Sequence, residues 1–432
     1  MLVYFHAGLI LAVIAISFGI AKALKLSVEL SMLVAAIAAA IVHSGGTIPV
    51  RHLVEGSFTY LDVCLIFITA TFFMNLIKES GGVAFLVRRI VTAFHKSRAL
   101  CLFFLTLLLL IPGALTGSGA TTVLTVGTLV GTVLTYMGIS EKRVAAIIFI
   151  CAAMSAAAPP VNLWAMMAAA GSNMPYVGFF IPLLVLSLAG SLFAMFFLGG
   201  KGKKVELSEA LKELPEPPEK MNWVRVGIPF VVLIFLIMAG RIWPHSIPTL
   251  GLPFMFVVAS VFAIFLSPKK LEILKIATNT INTLIPLVGI MIVVGILIQI
   301  MALSGARGLI SLAVVTLPMW VLFAALWLIL PVSEGLLQYA VAPLLGVPLI
   351  LLFNMKGMDA IIALSAMAVM WPVGDILPPT AVVGRATVME LKFKGRYYKD
   401  FLKTSLIPMG FILLIATLFL IFSNELSFLV GG

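Results

Sequence analysis

Charge is what this chain has least of. Asp, Glu, Lys and Arg make up 10% of its 432 residues, against 62% apolar; a soluble domain carries about a quarter charged residues and under half apolar. That shortage excludes an ordinary cytosolic or secreted protein, and a disordered chain as well. Cysteine is scarce too: Cys64, Cys101 and Cys151 all lie inside apolar runs. Such thiols pack as small hydrophobes, so neither a disulfide scaffold nor a redox role follows. The five histidines (His6, His43, His52, His95, His245) are scattered. None pairs at i, i+4 with another His, a Cys or an acid in an apolar segment, which removes the usual transition-metal spacing. The opening MLVYFHAGLILAVIAISFGIAKAL lacks a basic n-region and a small-residue cleavage site, and reads as a retained first span.

What the chain does have is apolar runs of membrane length, with mean hydropathy +1.20. At about 20 residues per helical span, about ten to twelve spans fit. Full spans are expected near 2–24, 27–43, 58–78, 143–170, 176–199, 223–240, 248–267, 277–303, 360–384 and 403–423. Two further runs, 98–137 and 306–353, are too long for one span. Each carries a break, IPGALTGSGATT and LPVSEGLLQ, and reads as a re-entrant helical hairpin. Irregular backbone at membrane depth is tolerated only where protein or a watery cavity surrounds it, so the two tips should line a site. The expected fold is an all-α polytopic membrane protein of about ten spans and two re-entrant hairpins.

The net charge of +11 fits cytoplasmic loops facing anionic lipid better than a nucleic-acid partner. With both hairpins returning to the side they left, Arg51, Arg241, Arg307 and Lys356 fall on one side. The other 24 of the 28 Lys and Arg fall opposite, on the side this bias makes cytoplasmic. Both termini then lie outside, in a multi-pass protein expected in the cell inner membrane. Ordinary pairs of spans in place of the hairpins would give the same sides. Residues 81–97 put Val83, Leu86, Ile90 and Phe94 on one face, with Arg88, Arg89, Thr92, His95 and Lys96 away from it, which suits an interfacial helix. Residues 200–222 form the substantial hydrophilic stretch, a cytoplasmic connector between two halves.

Sliding the chain on itself by 219 residues aligns Pro112 with Pro331, Gly127 with Gly346, Gly138 with Gly357, and Pro159-Pro160 with Pro378-Pro379. A slightly different offset pairs Ser80-Gly81 with Ser304-Gly305. The first half holds an odd number of full spans, so the second must be inserted upside down. An inverted-topology repeat with broken helices near mid-membrane is the pattern of a secondary transporter. The expected units are 1–80 and 223–305 as scaffold helices, 81–97 as an arm, 98–199 and 306–423 as transport halves, and 424–432 as a tail.

The breaks supply the chemistry. Proline lacks the N–H and clashes with the preceding turn, which frees nearby carbonyls. Such carbonyls suit Na⁺, and half-helix N-termini suit a carboxylate. Candidate cation ligands are Thr116, Gly117, Ser118, Gly119 and Pro159 in the first repeat. In the second they are Ser333, Glu334, Gly335, Gly374, Asp375 and Pro378. Candidate substrate contacts are Ser118, Thr121, Asn162, Gln338, Thr380 and Arg385. The plainer alternative is that these Pro, Gly and hydroxyl residues only kink and pack helices. An ionised group at the centre of a span costs roughly 2.5–3.5 kcal/mol on insertion scales, so Glu334 and Asp375 read as cation or proton carriers. Arg385 either grips an anionic substrate, pairs with one of those acids, or snorkels to the interface. Asp62 and Glu29 sit near span ends, where an interfacial position accounts for them.

The chain resembles the large membrane subunit (DctM-like) of tripartite ATP-independent periplasmic (TRAP) transporters, in the ion transporter superfamily. GALTGSGATTVLTVGT (Gly113 to Thr128) is similar to that family's first hairpin tip, and AAAPPVN (Ala156 to Asn162) to its first break. Glu334 stands where the family often has an acid. Gly357-Met358-Asp359 resembles its G-x-D turn, and GDILPP (Gly374 to Pro379) its second break. The chain departs from that pattern at Asp375, at Leu377 in place of threonine, and at Ala157-Ala158. The resemblance implies an elevator mechanism, with Na⁺ (or H⁺) as coupling ion, no cofactor, and symport of a small organic anion, a carboxylate. It also implies a small four-span membrane subunit and an extracytoplasmic substrate-binding protein as partners. Two alternatives stay open: a stand-alone proton- or Na⁺-coupled carrier, and an intramembrane aspartyl protease built on Asp375, which would need a second facing aspartate.

Overall fold

A computed structural model describes residues 2–201, 211–243 and 250–430. Parts of the connector (202–210) and of the expected span at 248–267, and the end of the tail, lie outside the described residues. Among the described residues all regular structure is helical. The first half runs α1 (Leu2–Ala23), α2 (Val28–His43), α3 (Val50–Ser57), α4 (Leu61–Glu79), α5 (Gly82–Phe94), α6 (Arg98–Thr116), α7 (Gly119–Thr122), α8 (Thr128–Tyr136), α9 (Glu141–Ala157), α10 (Leu163–Gly171) and α11 (Phe180–Gly199). The second runs α12 (Trp223–Ile242), α13 (Leu252–Leu266), α14 (Ile273–Leu303), α15 (Ala306–Val315), α16 (Met319–Leu337), α17 (Val347–Met355), α18 (Ala360–Met370), α19 (Val382–Glu390) and α20 (Lys403–Ile421). Eight described segments are long and apolar enough to cross a membrane, and five shorter apolar helices accompany them. The chain is a polytopic membrane protein.

Local chemistry sets several helix starts. Ser27, Ser97, Ser118, Asn162, Asn222 and Asp359 each accept a backbone N–H of the first turn, which satisfies a donor that the helix itself leaves open.

The offset of 219 residues reappears in element boundaries. A π-helical turn spans Val123–Gly127 in the first hairpin and Ala342–Gly346 in the second. Helices α8 and α17 correspond at both ends, as do α10 and α19. Helix α9 (141–157) corresponds to α18 with its following 3-10 turn, together 360–376.

One expectation needs correction. The apolar run 306–353 is not one hairpin. Gly305, at φ +75°, ends α14, and α15 is a separate helix that closes before Pro318. The second hairpin therefore starts at Met319. Helix α15 follows a Ser-Gly pair as α5 does, so it is the second arm. No charge after Arg307 marks that boundary in the sequence. The spans 143–170 and 360–384 are broken as the Pro-Pro pairs lead one to expect, each into two helices around a Pro-Pro with a cis bond.

The helices pack as two neighbouring groups. In one, α1 lies on α2, α14 on α2, α3 and α4, and α13 on α4 and α12. Helices α3 and α14 cross backbone to backbone where Gly56 meets Gly295. In the other, α9 packs on α6 and α11, α16 on the turn 372–376, α10 on the second π turn, and α20 on α11 and α18. The connector is tied down on α5: Arg88 donates to the carbonyls of Leu211 (2.9 Å) and Leu214 (2.7 Å). Met221 and Val226 bury against Phe85 beside it.

Candidate functional site

The tips and breaks meet inside the second group. In the first tip Gly117 turns the chain at φ +69°, a conformation that costs glycine little. Thr116 Oγ1 donates to the Pro112 carbonyl (2.7 Å) and accepts from the Ser118 N–H (3.3 Å). Thr122 and Ser155 share a hydrogen bond of 2.7 Å between tip and α9. In the second tip the turning residue is Gln338, at φ +55°.

Each break is stitched to the tip of its own repeat. The residue after the Pro-Pro donates its N–H to a hairpin carbonyl: Val161 to Ala114 (3.0 Å), Thr380 to Gly335 (3.1 Å). The contacts are equally close in both halves. A Cβ on Gly113 would overlap the Ser155 side chain, and one on Gly374 would overlap the Pro331 carbonyl.

The repeats are also joined to each other. Trp164 of α10 donates its indole N–H to Glu334 Oε2 (2.8 Å) and packs on Tyr339 with ring centroids 4.6 Å apart. Tyr339 in turn donates to the Gly117 carbonyl (3.2 Å). Glu334 is 0% exposed, and its Oε1 has no partner. Asp375, 3% exposed, sits on the turn 372–376 that packs against α16, the helix carrying Glu334. Neither forms an ion pair among the described residues. Tyr339→Phe removes one neutral hydrogen bond between the tips. It is expected to lower stability by about 1 kcal/mol and to speed proteolysis at the first tip, read by limited digestion in detergent.

A cavity of about 510 Å³ lies between these tips and helices α4 and α14. Of the candidates read from the sequence, Ser118, Thr121, Gln338 and Asp375 line it. Glu334 is buried behind it, at the stitch between second tip and second break. The others fall outside. Asn162 is spent on the first break: Nδ2 donates to the Ala157 carbonyl (2.7 Å) and Oδ1 accepts from the Ala165 N–H (2.9 Å). Ser333 donates to the Leu330 carbonyl and Thr380 to that of Gly335. Thr116, Gly117, Gly119, Pro159, Gly335, Gly374 and Pro378 shape the tips and breaks rather than line the cavity. Arg385 is exposed and donates to the Pro379 carbonyl (2.7 Å), pairing with neither acid. Sequence reading missed Thr71, Asn75 and Lys78 on α4, and Thr125, Tyr339 and Trp164. The α4 residues carry a signal: they recur at i, i+4, i+7 along one face of an otherwise apolar span.

No family model matches the chain. No curated protein matches it in sequence. Solved structures that share its fold include two membrane transporters. MtrF of Neisseria gonorrhoeae, which illuminates a class of antimetabolite efflux pumps, is 15% identical at a TM-score of 0.62, over 86% of this chain and 83% of that one. The YdaH transporter of Alcanivorax borkumensis, of unusual topology, is 14% identical at 0.61, over 88% and 89%. This chain has the fold of membrane transporters. At such identities the likeness establishes architecture and leaves cargo and coupling to the residues.

Proposed function

We propose that the chain is a secondary active carrier of small organic anions, driven by Na⁺ or protons bound at the second tip and break. The observation that carries this reading is the pair Glu334 and Asp375, two buried carboxyls without a cationic side-chain partner among the described residues, next to a largely apolar cavity that Asp375 itself lines. An unpaired ionised acid at membrane depth is costly, and a bound cation or proton removes the cost. The first repeat has Leu115 and Ala156 at the matching positions, so the coupling charge is concentrated in the second. Movement of the tip-and-break group against α2–α4 and α12–α14 would carry the cavity across the bilayer. The resemblance to the large TRAP subunit adds a four-span membrane subunit and an extracytoplasmic binding protein as partners, in the cell inner membrane.

A second reading, export, draws its support from the likeness in fold to MtrF, which illuminates a class of antimetabolite efflux pumps. The protease alternative loses support, because Asp62 is exposed at the start of α4 and aspartyl chemistry requires two facing carboxyls that share a proton.

The test is transport of labelled organic anions by the purified chain in proteoliposomes, under an imposed Na⁺ or pH gradient, with and without a cognate binding protein. Gradient-driven accumulation that an ionophore collapses is expected. Transport indifferent to both gradients overturns the proposal.

A further inference from the structure

The central cavity has a chemistry of its own beyond the coupling pair. Two of its lining side chains are charged, Lys78 and Asp375. Much of the remaining wall is apolar, built from Phe67, Leu124, Leu284, Leu287, Ile290 and Val383. Lys78 forms no ion pair among the described residues, whereas Lys275 nearby is held by Glu272 at 3.1 Å. Thr71, two turns back along α4, is buried, and its hydroxyl has no partner. Asn75 between them is fixed by donating to Thr280 (2.8 Å), which leaves its carbonyl oxygen free to accept. A second cavity of about 500 Å³ adjoins the first and shares Asn75 and Lys78 with it. It adds Lys269, Lys270 and Lys275, set against Glu79 and Glu272. Lys78 therefore stands where a vestibule with more basic than acidic side chains meets a largely apolar chamber, and such an excess of one sign concentrates ligands of the other.

We infer that the cavity selects a monocarboxylate with an apolar body, its carboxylate held by Lys78 and its body lying along the α4–α14 wall. This rests on the carrier reading above and narrows its cargo. A compact dicarboxylate fits the lining poorly. The cavity offers no second basic side chain, because Arg385 lies outside it and donates to the Pro379 carbonyl. The second carboxylate would face either an apolar wall or Asp375.

Uptake of labelled hexanoate, phenylacetate and succinate is compared in proteoliposomes under whichever ion gradient drives the wild type. Hexanoate and phenylacetate are expected to be taken up in preference to succinate. Lys78→Gln should raise their KM about tenfold, the loss of one charge-assisted hydrogen bond, with the maximal rate near wild type. Lys78→Arg should recover most of that affinity, and Lys356→Gln, at an exposed lysine that lines neither cavity, should leave KM within about twofold. The same KM shift in liposomes of neutral lipid excludes a lipid headgroup at Lys78 as its source. Preference for succinate, or an unchanged KM in Lys78→Gln, overturns the inference while gradient-driven uptake leaves the carrier reading standing. Absence of gradient-driven uptake of all three probes counts against the carrier reading itself.

Discussion

Glu334→Gln is expected to abolish gradient-driven accumulation while leaving exchange of the anion across the membrane. The substitution keeps the side chain's volume and an oxygen that can accept from the Trp164 indole N–H, 2.8 Å from Oε2 in the wild type. It removes the charge whose other oxygen, Oε1, has no partner. Interactions with charged groups are worth about 1.5–3 kcal/mol, so cation affinity should fall roughly ten- to hundredfold. Asp375→Asn should show the same separation of exchange from coupling, because Asp375 sits on the turn packed against α16 and lines the cavity. The measurement is the ratio of gradient-driven uptake to equilibrium exchange. If Glu334→Gln still concentrates substrate as the wild type does, the second tip is not where the driving ion binds.

Gly374→Ala and Gly113→Ala should have the largest structural effects. At each position a methyl group would occupy space already held by the partner element: the Pro331 carbonyl in one case, the Ser155 side chain in the other. Backbone cannot swing aside as a flexible side chain can, so Gly374→Ala should be the worse of the two. Overpacking typically costs about 1–3 kcal/mol, here at the junction of tip and break. Both variants should lower Tm in detergent by several degrees and reduce transport. Gly410→Ala in α20 is the control: nothing lies within 4 Å of its Cβ position. The change there should be neutral or slightly stabilising, by up to about 1 kcal/mol of helix propensity. Equal melting of all three variants would mean that the tips do not need the close approach seen here.

The backbone of this site is legible in the sequence because its determinants are local and unusual. Pro159-Pro160, Pro378-Pro379 and the glycines of the first tip have few roles inside an apolar run other than bending it. The repeat is legible because those rare residues recur at one spacing. What joins the pieces is not legible. Trp164 and Tyr339 read as ordinary aromatic packing until Glu334 is found within 2.8 Å of the indole and Gly117 within 3.2 Å of the phenol. Those contacts link residues 170 and 222 positions apart, beyond any periodicity of one helix. Asn162 has the type and place of a substrate contact, but a break so deeply buried needs its own carbonyls and amides satisfied first, and the side chain is consumed doing so. Arg385 shows the same competition: with the Pro379 carbonyl freed by the break, the nearest strong donor turns to it rather than to a distant acid.

The two π-helical turns bear on which faces the hairpins present. Each holds one residue more than an α-helical path of the same rise, and one extra residue turns everything beyond it by about 100°. With one at Val123–Gly127 and another at Ala342–Gly346, the same rotation is built into both repeats, so the helices that follow, α8 and α17, leave their tips offset in the same sense.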